Sequence, residues 1–322
     1  MTERGRHTFW TAMGWGFTFG VGVSLYLRWS TVHSPAGVLL VSLVPLLVPA
    51  LIVLFAAAWI TRSALLRIAT LILVVGYFVT YPTVGSLIGC RGETAEDQVV
   101  VYSHNVRYQH GDPALVAQAA GTAGADVMVL QEVWPAFVEG LDAQPDSGRF
   151  RYRATEAVDG ATGLAVWSRG PIRDATLEDL GGVPLMRMVV QAPQGPFILT
   201  AVHTSAPKDR LGVSRWEEQL ARLAERPVTG PSVMAGDFNA TTDHRQFRAV
   251  LDGGWTDVNQ PKGCGFDTTW PVGRYTGVPI MRLDHVLVSP DFQVLAVDVG
   301  PAGGSDHASV VTRVVLRPEP TG

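Results

Sequence analysis

Apolar and polar positions divide this chain into two unlike parts. Residues 9–27, 36–60 and 68–89 carry no charged side chain. Each run approaches the roughly 20 residues that a helix needs to cross about 30 Å of hydrocarbon. The glycines of the first run suit helix–helix contact, and two further apolar runs follow it, which argues against a cleaved signal peptide. The pattern predicts three transmembrane helices within residues 1–90 and a short polar stalk at 91–97. From 98 to 322 the period changes. Strand-length apolar runs at 99–102, 126–130, 152–154, 163–168, 186–191, 197–203, 232–235, 283–288, 293–299 and 309–315 interleave with helical patterns at 113–120, 135–141, 211–226 and 243–251. Asp112-Pro113 reads as an N-cap followed by proline at the first helical position. Mixed strands and helices, with acids just past strand ends, predict an α/β sandwich whose loops carry a site. No internal repeat or low-complexity stretch is present.

Composition sharpens this division. Mean hydropathy is +0.19 with 47% apolar residues, an excess concentrated in the first 90 residues. Positively charged loops stay cytoplasmic. With the N-terminus inside, Arg4, Arg6, Arg62 and Arg67 lie on the inner side and Arg28 and Arg91 on the outer. Three spans then place the second domain outside the cytoplasm. From Gln98 onward, 19 basic side chains face 25 acidic ones, a net of −6. Non-specific nucleic-acid binding rests on a basic face, and this balance gives it no support. Cys90 and Cys264 show no metal-type spacing. They stand as free thiols, as a disulfide, or, for Cys90 in Leu87-Ile88-Gly89-Cys90, as a lipidated residue.

Chemistry-bearing side chains cluster in six segments: Ser103-His104-Asn105-Val106-Arg107, Leu130-Gln131-Glu132, Val202-His203-Thr204-Ser205-Ala206-Pro207, Gly236-Asp237-Phe238-Asn239-Ala240, Leu283-Asp284-His285 and Gly304-Ser305-Asp306-His307. Asp237 and Asn239, two apart on a strand-to-loop turn, can offer one pocket a carboxylate and an amide donor. Glu132 ends an apolar strand, where a carboxylate either caps a turn or ligates a hard cation. Mg²⁺ needs only one or two protein carboxylates plus substrate oxygens. Glu132 assisted by Asn105 and Asp306 meets that demand with Mg²⁺ or Mn²⁺, whereas zinc-type spacing is missing. Arg107 and Arg187 are candidate phosphate clamps. His285 falls on the opposite strand face from Asp284.

Together the six segments resemble the endonuclease/exonuclease/phosphatase superfamily, the group of DNase I, AP endonucleases, neutral sphingomyelinases and inositol-polyphosphate 5-phosphatases, over residues 98–316. The resemblance implies a DNase I-like four-layer α/β sandwich behind the three transmembrane helices, and a metal-dependent phosphoric ester or diphosphate hydrolase. It implies that His307 acts on the scissile phosphate, that Asp306 contributes to the metal, and that Asp284 holds the His307 ring in its tautomer. His203 would bind phosphate or protonate the leaving oxygen. DNase I-like nucleases orient that histidine with an upstream glutamate. Residues 162–168 hold none, and Glu156 is merely nearby. Tethering helices, short stalk and acidic domain resemble membrane phosphohydrolases of the VanJ type, associated with glycopeptide resistance. This implies a membrane-embedded substrate, an undecaprenyl-type lipid-linked phosphate or diphosphate. The rivals are a surface-tethered nuclease, a sphingomyelinase-like phospholipid phosphodiesterase and a non-catalytic adaptor. No oligomeric state is assigned.

Overall fold

The computed structural model describes residues 3–80, 92–262, 267–273 and 277–317. Cys90 and Cys264 lie outside them, as does the end of the third apolar run. Two six-stranded sheets form the second domain. One contains β1 (Val99–Asn105), β2 (Val127–Gln131), β3 (Tyr152–Glu156), β4 (Leu164–Ser168), β11 (Phe292–Val299) and β12 (Val310–Leu316), in the order β11-β12-β1-β2-β4-β3. The other contains β5 (Ile172–Asp179), β6 (Pro184–Ala192), β7 (Gly195–His203), β8 (Ser232–Asp237), β9 (Thr256–Asp257) and β10 (Asp284–Val288), in the order β5-β6-β7-β8-β10-β9. Each sheet has one parallel pair, β1/β2 and β7/β8, among antiparallel neighbours. The crossovers run through α5 (Pro113–Ala123) and α7 (Arg210–Ala224). Asp112 caps α5 by accepting from the Ala114 amide at 2.8 Å, and Gly124 ends it at φ 72°. These are the local signals a helix start and stop require.

Strand alternation builds three buried layers. Val101, Val129, Val166, Leu199, Ala201 and Val233 meet between the sheets. Tyr102, Met128, Leu130 and Trp167 face α5 and α6 (Pro135–Asp142). Val202, Met234 and Leu287 face α7 and α8 (Arg245–Asp252) through Trp216, Leu220 and Phe247. The result is the expected helix–sheet–sheet–helix sandwich. The strand β5 was not anticipated, because five of its eight residues are polar and its three apolar ones, Ile172, Ala175 and Leu177, do not alternate regularly.

The first 80 residues depart from three clean spans. They form α1 (Glu3–Arg28), α2 (Pro35–Ser42), a 3-10 turn at Val44–Leu46, α3 (Leu47–Ile60) and α4 (Ala64–Thr80). Among the described residues no single helix is long and apolar enough to cross a membrane. One bent pair passes by length and composition, with a 50° break between Pro35–Ser42 and Val44–Ile60. Pro45 lies at that break, where it lacks an amide hydrogen and obstructs the preceding turn. A Cβ on Gly14 would lie 2.7 Å from Leu66, and one on Gly22 would lie 3.9 Å from Leu73, so α1 and α4 run side by side in the same direction. Val21, Leu51, Leu54 and Leu66 form the bundle's core. Of the 28 large apolar side chains exposed among the described residues, 23 lie between residues 9 and 79. The apolar surface is therefore the outside of this bundle.

The link between the two parts is intimate. Val32, Val38 and Val41 share a core with Trp216 and Phe247. Arg28 Nε donates to Asp243 Oδ1 at 2.6 Å, with both side chains nearly buried. His244 Nε2 meets the Val38 carbonyl at 3.1 Å, and Gln246 donates to the Val32 carbonyl at 3.2 Å. The expected stalk is anchored as well, since the Glu93 amide donates to the Leu295 carbonyl at 3.1 Å.

Candidate active site

The parallel strands β1, β2, β7 and β8 end at one edge of the sandwich, where Asn105, Glu132, His203 and Asp237 emerge. Their inward faces are apolar until that edge, so the strand ends are where polar groups can converge without burial in the core. Strand β10 starts at the same edge and sets Asp284 directly opposite Asp237.

Asp237 Oδ2 is the hub. Asn105 Nδ2 lies 3.0 Å away, Asn239 Nδ2 3.3 Å, His203 Nε2 3.7 Å and His307 Nε2 3.8 Å. The Asn105 amide also donates to Glu132 Oε1 at 3.0 Å, and His203 Nε2 lies 3.9 Å from that oxygen. Glu132 and Asp237 therefore converge on the same two nitrogens. Backbone amides fix the cluster from outside: Tyr108 donates to Glu132 Oε2, Arg107 to Asn105 Oδ1 and Asn239 to Asp237 Oδ1, all within 2.8–2.9 Å. Asn239 Nδ2 also donates to the Thr204 carbonyl at 2.9 Å.

Backbone strain collects here. Arg107, Glu132 and Asn239 adopt φ of 54°, 61° and 47°. Such left-handed residues cost roughly 1–3 kcal/mol each and persist where their surroundings over-determine them. Gly236 is required for a different reason: a Cβ there would stand 1.8 Å from the Val202 carbonyl oxygen of the neighbouring strand.

His307 and Asp284 form a buried pair, Nδ1 to Oδ2 at 2.9 Å, leaving His307 Nε2 turned to Asp237. Burial alone would lower the His307 pKa. The charges of Asp284 and Asp237 instead push it up to about 9, so the ring is a cation at neutral pH. Burial would raise Asp284, but His307's charge and hydrogen bond, with the Thr269 hydroxyl, hold it below its ordinary value. Asp237 moves the other way, driven up by burial and by Asp284, with His307 and His203 opposing. Ser305 Oγ accepts from the His307 amide at 3.0 Å and donates to the Asn105 carbonyl at 2.7 Å, tying the last segment to β1.

Seven of the anticipated residues thus come together: Asn105, Glu132, His203, Asp237, Asn239, Asp284 and His307. Among the described residues, Asp237, Asp284 and His307 bring potential ligand atoms within 4.8 Å of one another, a different set from the anticipated Glu132, Asn105 and Asp306. Asp306 lies against Arg107, Oδ1 to Nε at 3.6 Å, which keeps Arg107 at the site's margin. Arg187 is not part of the site. It pairs with Thr200 and shares the helix-facing side of β6 with Leu185, while Met186 and Met188 take the inter-sheet side. Its alternation phase, which the isolated Met-Arg-Met triplet conceals, carries it away. Glu156 lies opposite Leu164 at the end of β3, and no hydrogen bond or ion pair joins it to His203 among the described residues. His285 is buried on the far face, between Asp257 Oδ2 at 2.7 Å and the Ala240 carbonyl at 2.9 Å.

The structure gives a role to His104, which sequence reasoning quoted within its segment and left without one. His104, on the opposite face of β1 from Asn105, reaches the His307 carbonyl at 3.1 Å, and burial lowers its pKa to about 4. It is therefore neutral and donates through Nε2. A lone polar residue on a helix-covered strand face was its only signal. Trp270 flanks His307 with ring centres 6.5 Å apart.

Comparison with known proteins accords with this geometry. The model of the Endonuclease/Exonuclease/phosphatase family matches residues 102–307. Among curated proteins none matches. Similar solved structures include an endonuclease/exonuclease/phosphatase from Beutenbergia cavernae, at 21% identity and TM-score 0.56, covering 70% of this chain and 74% of that one. The mannosyl-6-phosphatase of Bacteroides thetaiotaomicron is similar at 18% identity and TM-score 0.56, covering 68% and 100%. A humanized D. rerio TDP2 gives 18% identity and TM-score 0.54, covering 68% and 100%. At these identities the likeness speaks for the fold.

Proposed function

This chain belongs to the endonuclease/exonuclease/phosphatase family, and from that premise we propose that it is a membrane-anchored, divalent-metal-dependent phosphohydrolase of a lipid-linked phosphate or diphosphate. Hydrolases of phosphoester bonds make up the family, and it is generally dependent on a divalent metal. The donor set here fits such an ion: Glu132, Asp237 and Asp284 offer hard oxygens around shared nitrogens, without a thiolate. When bound, the ion would polarise a phosphoryl oxygen. The chain's own groups perform the remaining tasks. The His307 cation, held by Asp284, faces the anionic phosphoryl group and supplies a proton from Nε2. Asn239 and His203 hold non-bridging oxygens. Asp237, held by the Asn105 side chain and the Asn239 amide, orients the attacking water and takes its proton.

One observation carries the choice of a membrane substrate. Asn239 in the site and Asp243 at the buried Arg28 contact are four residues apart. Four residues span at most about 14 Å. The catalytic edge therefore lies beside the end of the apolar bundle, at headgroup depth if that bundle is in a bilayer. Tyr77, toward the end of α4, is within electrostatic reach of Arg28 and Asp243. The turn at residues 61–63, with Arg62 and the nearby Arg67, lies at the bundle's other end. That polarity favours an extracytoplasmic catalytic domain. An undecaprenyl-type carrier or cell-wall precursor then becomes the substrate, and glycopeptide resistance the consequence.

The test incubates purified full-length protein with Mg²⁺ against undecaprenyl diphosphate, sphingomyelin and plasmid DNA at roughly physiological salt. Phosphate release from the polyprenyl diphosphate should exceed plasmid nicking and sphingomyelin cleavage at equal enzyme. Efficient plasmid degradation without phosphate release would make this a tethered nuclease.

A further inference from the structure

The sandwich has a second concavity, at the edge opposite the active site. It opens where β1 and β2 begin, whereas the catalytic residues stand where those strands end. Seven residues of strand separate the two edges, about 20 Å. This cleft has a volume near 600 Å³, within the usual range for small-molecule sites.

Its chemistry is divided. The floor is the open end of the inter-sheet core, made by Val99, Val127, Val190 and Phe197. The rim carries three guanidinium groups, Arg149, Arg151 and Arg169, against a single lining acid next to them, Asp126. Asp126 is already committed, taking the Val100 amide at 2.9 Å on one oxygen and Arg169 Nη1 at 2.8 Å on the other. Arg149 spends Nη1 on the Gly121 carbonyl at 3.0 Å. Each guanidinium has five N–H donors, so most donors of this rim remain available. In a domain with net −6 charge from Gln98 onward, this grouping runs against composition.

A second, independent feature lies in the same cleft. Ser168 is fully buried on the inter-sheet face of β4, lines the cleft, and its Oγ has no hydrogen-bond partner among the described residues. A buried hydroxyl without a partner costs free energy, roughly 1–3 kcal/mol, and a ligand oxygen or amide would satisfy it.

The geometry points to a second binding site, distal to the catalytic edge, for a small organic anion: a compact apolar body on the valine–phenylalanine floor and one carboxylate or phosphate at the arginine rim. Inorganic anions lack the body and neutral apolar molecules lack the charge, so both halves of the cleft select the same class. The site opens at the strand edge opposite the catalytic one. It is independent of which phosphoester the active site takes.

The probe is 2-naphthoate, titrated calorimetrically into full-length protein in detergent micelles, with inorganic phosphate as control. Arg151 is exposed and has no described partner, so Arg151→Glu reverses a rim charge without disturbing the fold. Ala192→Trp fills the floor. The wild type should bind one naphthoate saturably, Arg151→Glu should bind at least about tenfold more weakly, and Ala192→Trp should not bind it. Both variants should keep the wild-type melting temperature and phosphate-release rate within about twofold. Equal naphthoate affinity in wild type and Arg151→Glu would overturn the proposal. So would no saturable binding up to about 10 mM, or inorganic phosphate binding as tightly as naphthoate.

Discussion

Asp237 and Asp284 face each other across the β8–β10 ladder, and their environments drive their proton affinities apart. Asp284 is held ionised by His307, whereas Asp237, without a partner of that strength, is pushed up by burial and by Asp284 itself. Two carboxyls in register thus take different tasks, one fixing a cation and the other receiving a proton. Replacing Asp284 by Asn removes the anion that keeps His307 charged. Its pKa should fall from about 9, so the basic limb of the pH–rate profile moves to lower pH. The rate at neutral pH should drop at least roughly a hundredfold, as on loss of a key electrostatic group. An unchanged basic limb would show that His307 does not act as the cation.

Glu132 tests the metal reading separately. Its Oε2 accepts from the Tyr108 amide and its Oε1 from Asn105, so Glu132→Gln keeps one of these hydrogen bonds and the side-chain shape while removing a hard anionic donor. Chelation with EDTA should abolish phosphate release, and Glu132→Gln should lower it at least about a hundredfold. In the variant, half-maximal activity should need a higher Mg²⁺ concentration. Full activity in EDTA would end the metal assignment.

Much of this was legible in the sequence because the site is built from strand ends. A strand's alternation fixes which residues face inward, and a polar residue after an apolar run then marks the exposed edge. That logic delivered Asn105, Glu132, His203 and Asp237, and its twin delivered His285 to the far face. It failed for Arg187, where the Met-Arg-Met triplet allowed either phase and tertiary packing chose the helix-facing one. The N-terminal helices were read as three spans from charge-free runs alone. Hydropathy windows do not register the effect of Pro45, nor the burial of residues 32–41 against α7 and α8. Arg28, read as a loop arginine, is the buried link to Asp243. No local pattern could announce that contact, since 215 residues separate the partners.

The two candidate clamps now separate cleanly. Arg107 stands beside Asp306 at the margin of the site, and Arg187 lies on the wrong face of β6. Arg107→Ala should raise KM at least about tenfold through loss of charge-assisted contact to phosphate. Arg187→Ala should stay within about twofold of wild type in both kcat and KM. A large catalytic loss in the Arg187 variant, with an unchanged melting temperature, would contradict its placement.

The junction between bundle and catalytic domain should loosen in acid, and His244 gives the sign. Its Nδ1 accepts from the Thr241 amide at 2.9 Å, so Nε2 carries the proton and donates to the Val38 carbonyl. Burial lowers its pKa to about 4 from 6.5. The unfolded chain therefore binds a proton below about pH 6.5 that the folded protein refuses until about pH 4. Stability from this residue is complete above pH 6.5 and is lost as pH falls through that window. The difference of about 2.5 units corresponds to about 3 kcal/mol. A glutamine at this position can donate to Val38 and accept from Thr241 without titrating. Urea unfolding of detergent-solubilised full-length protein should show wild type losing about 3 kcal/mol more than His244→Gln between pH 6.5 and 4. His104, with the same downward shift, serves as the internal control because it is present in both proteins. Parallel stability curves for wild type and variant would mean that His244 titrates normally and that the Val38 contact is not what excludes its proton.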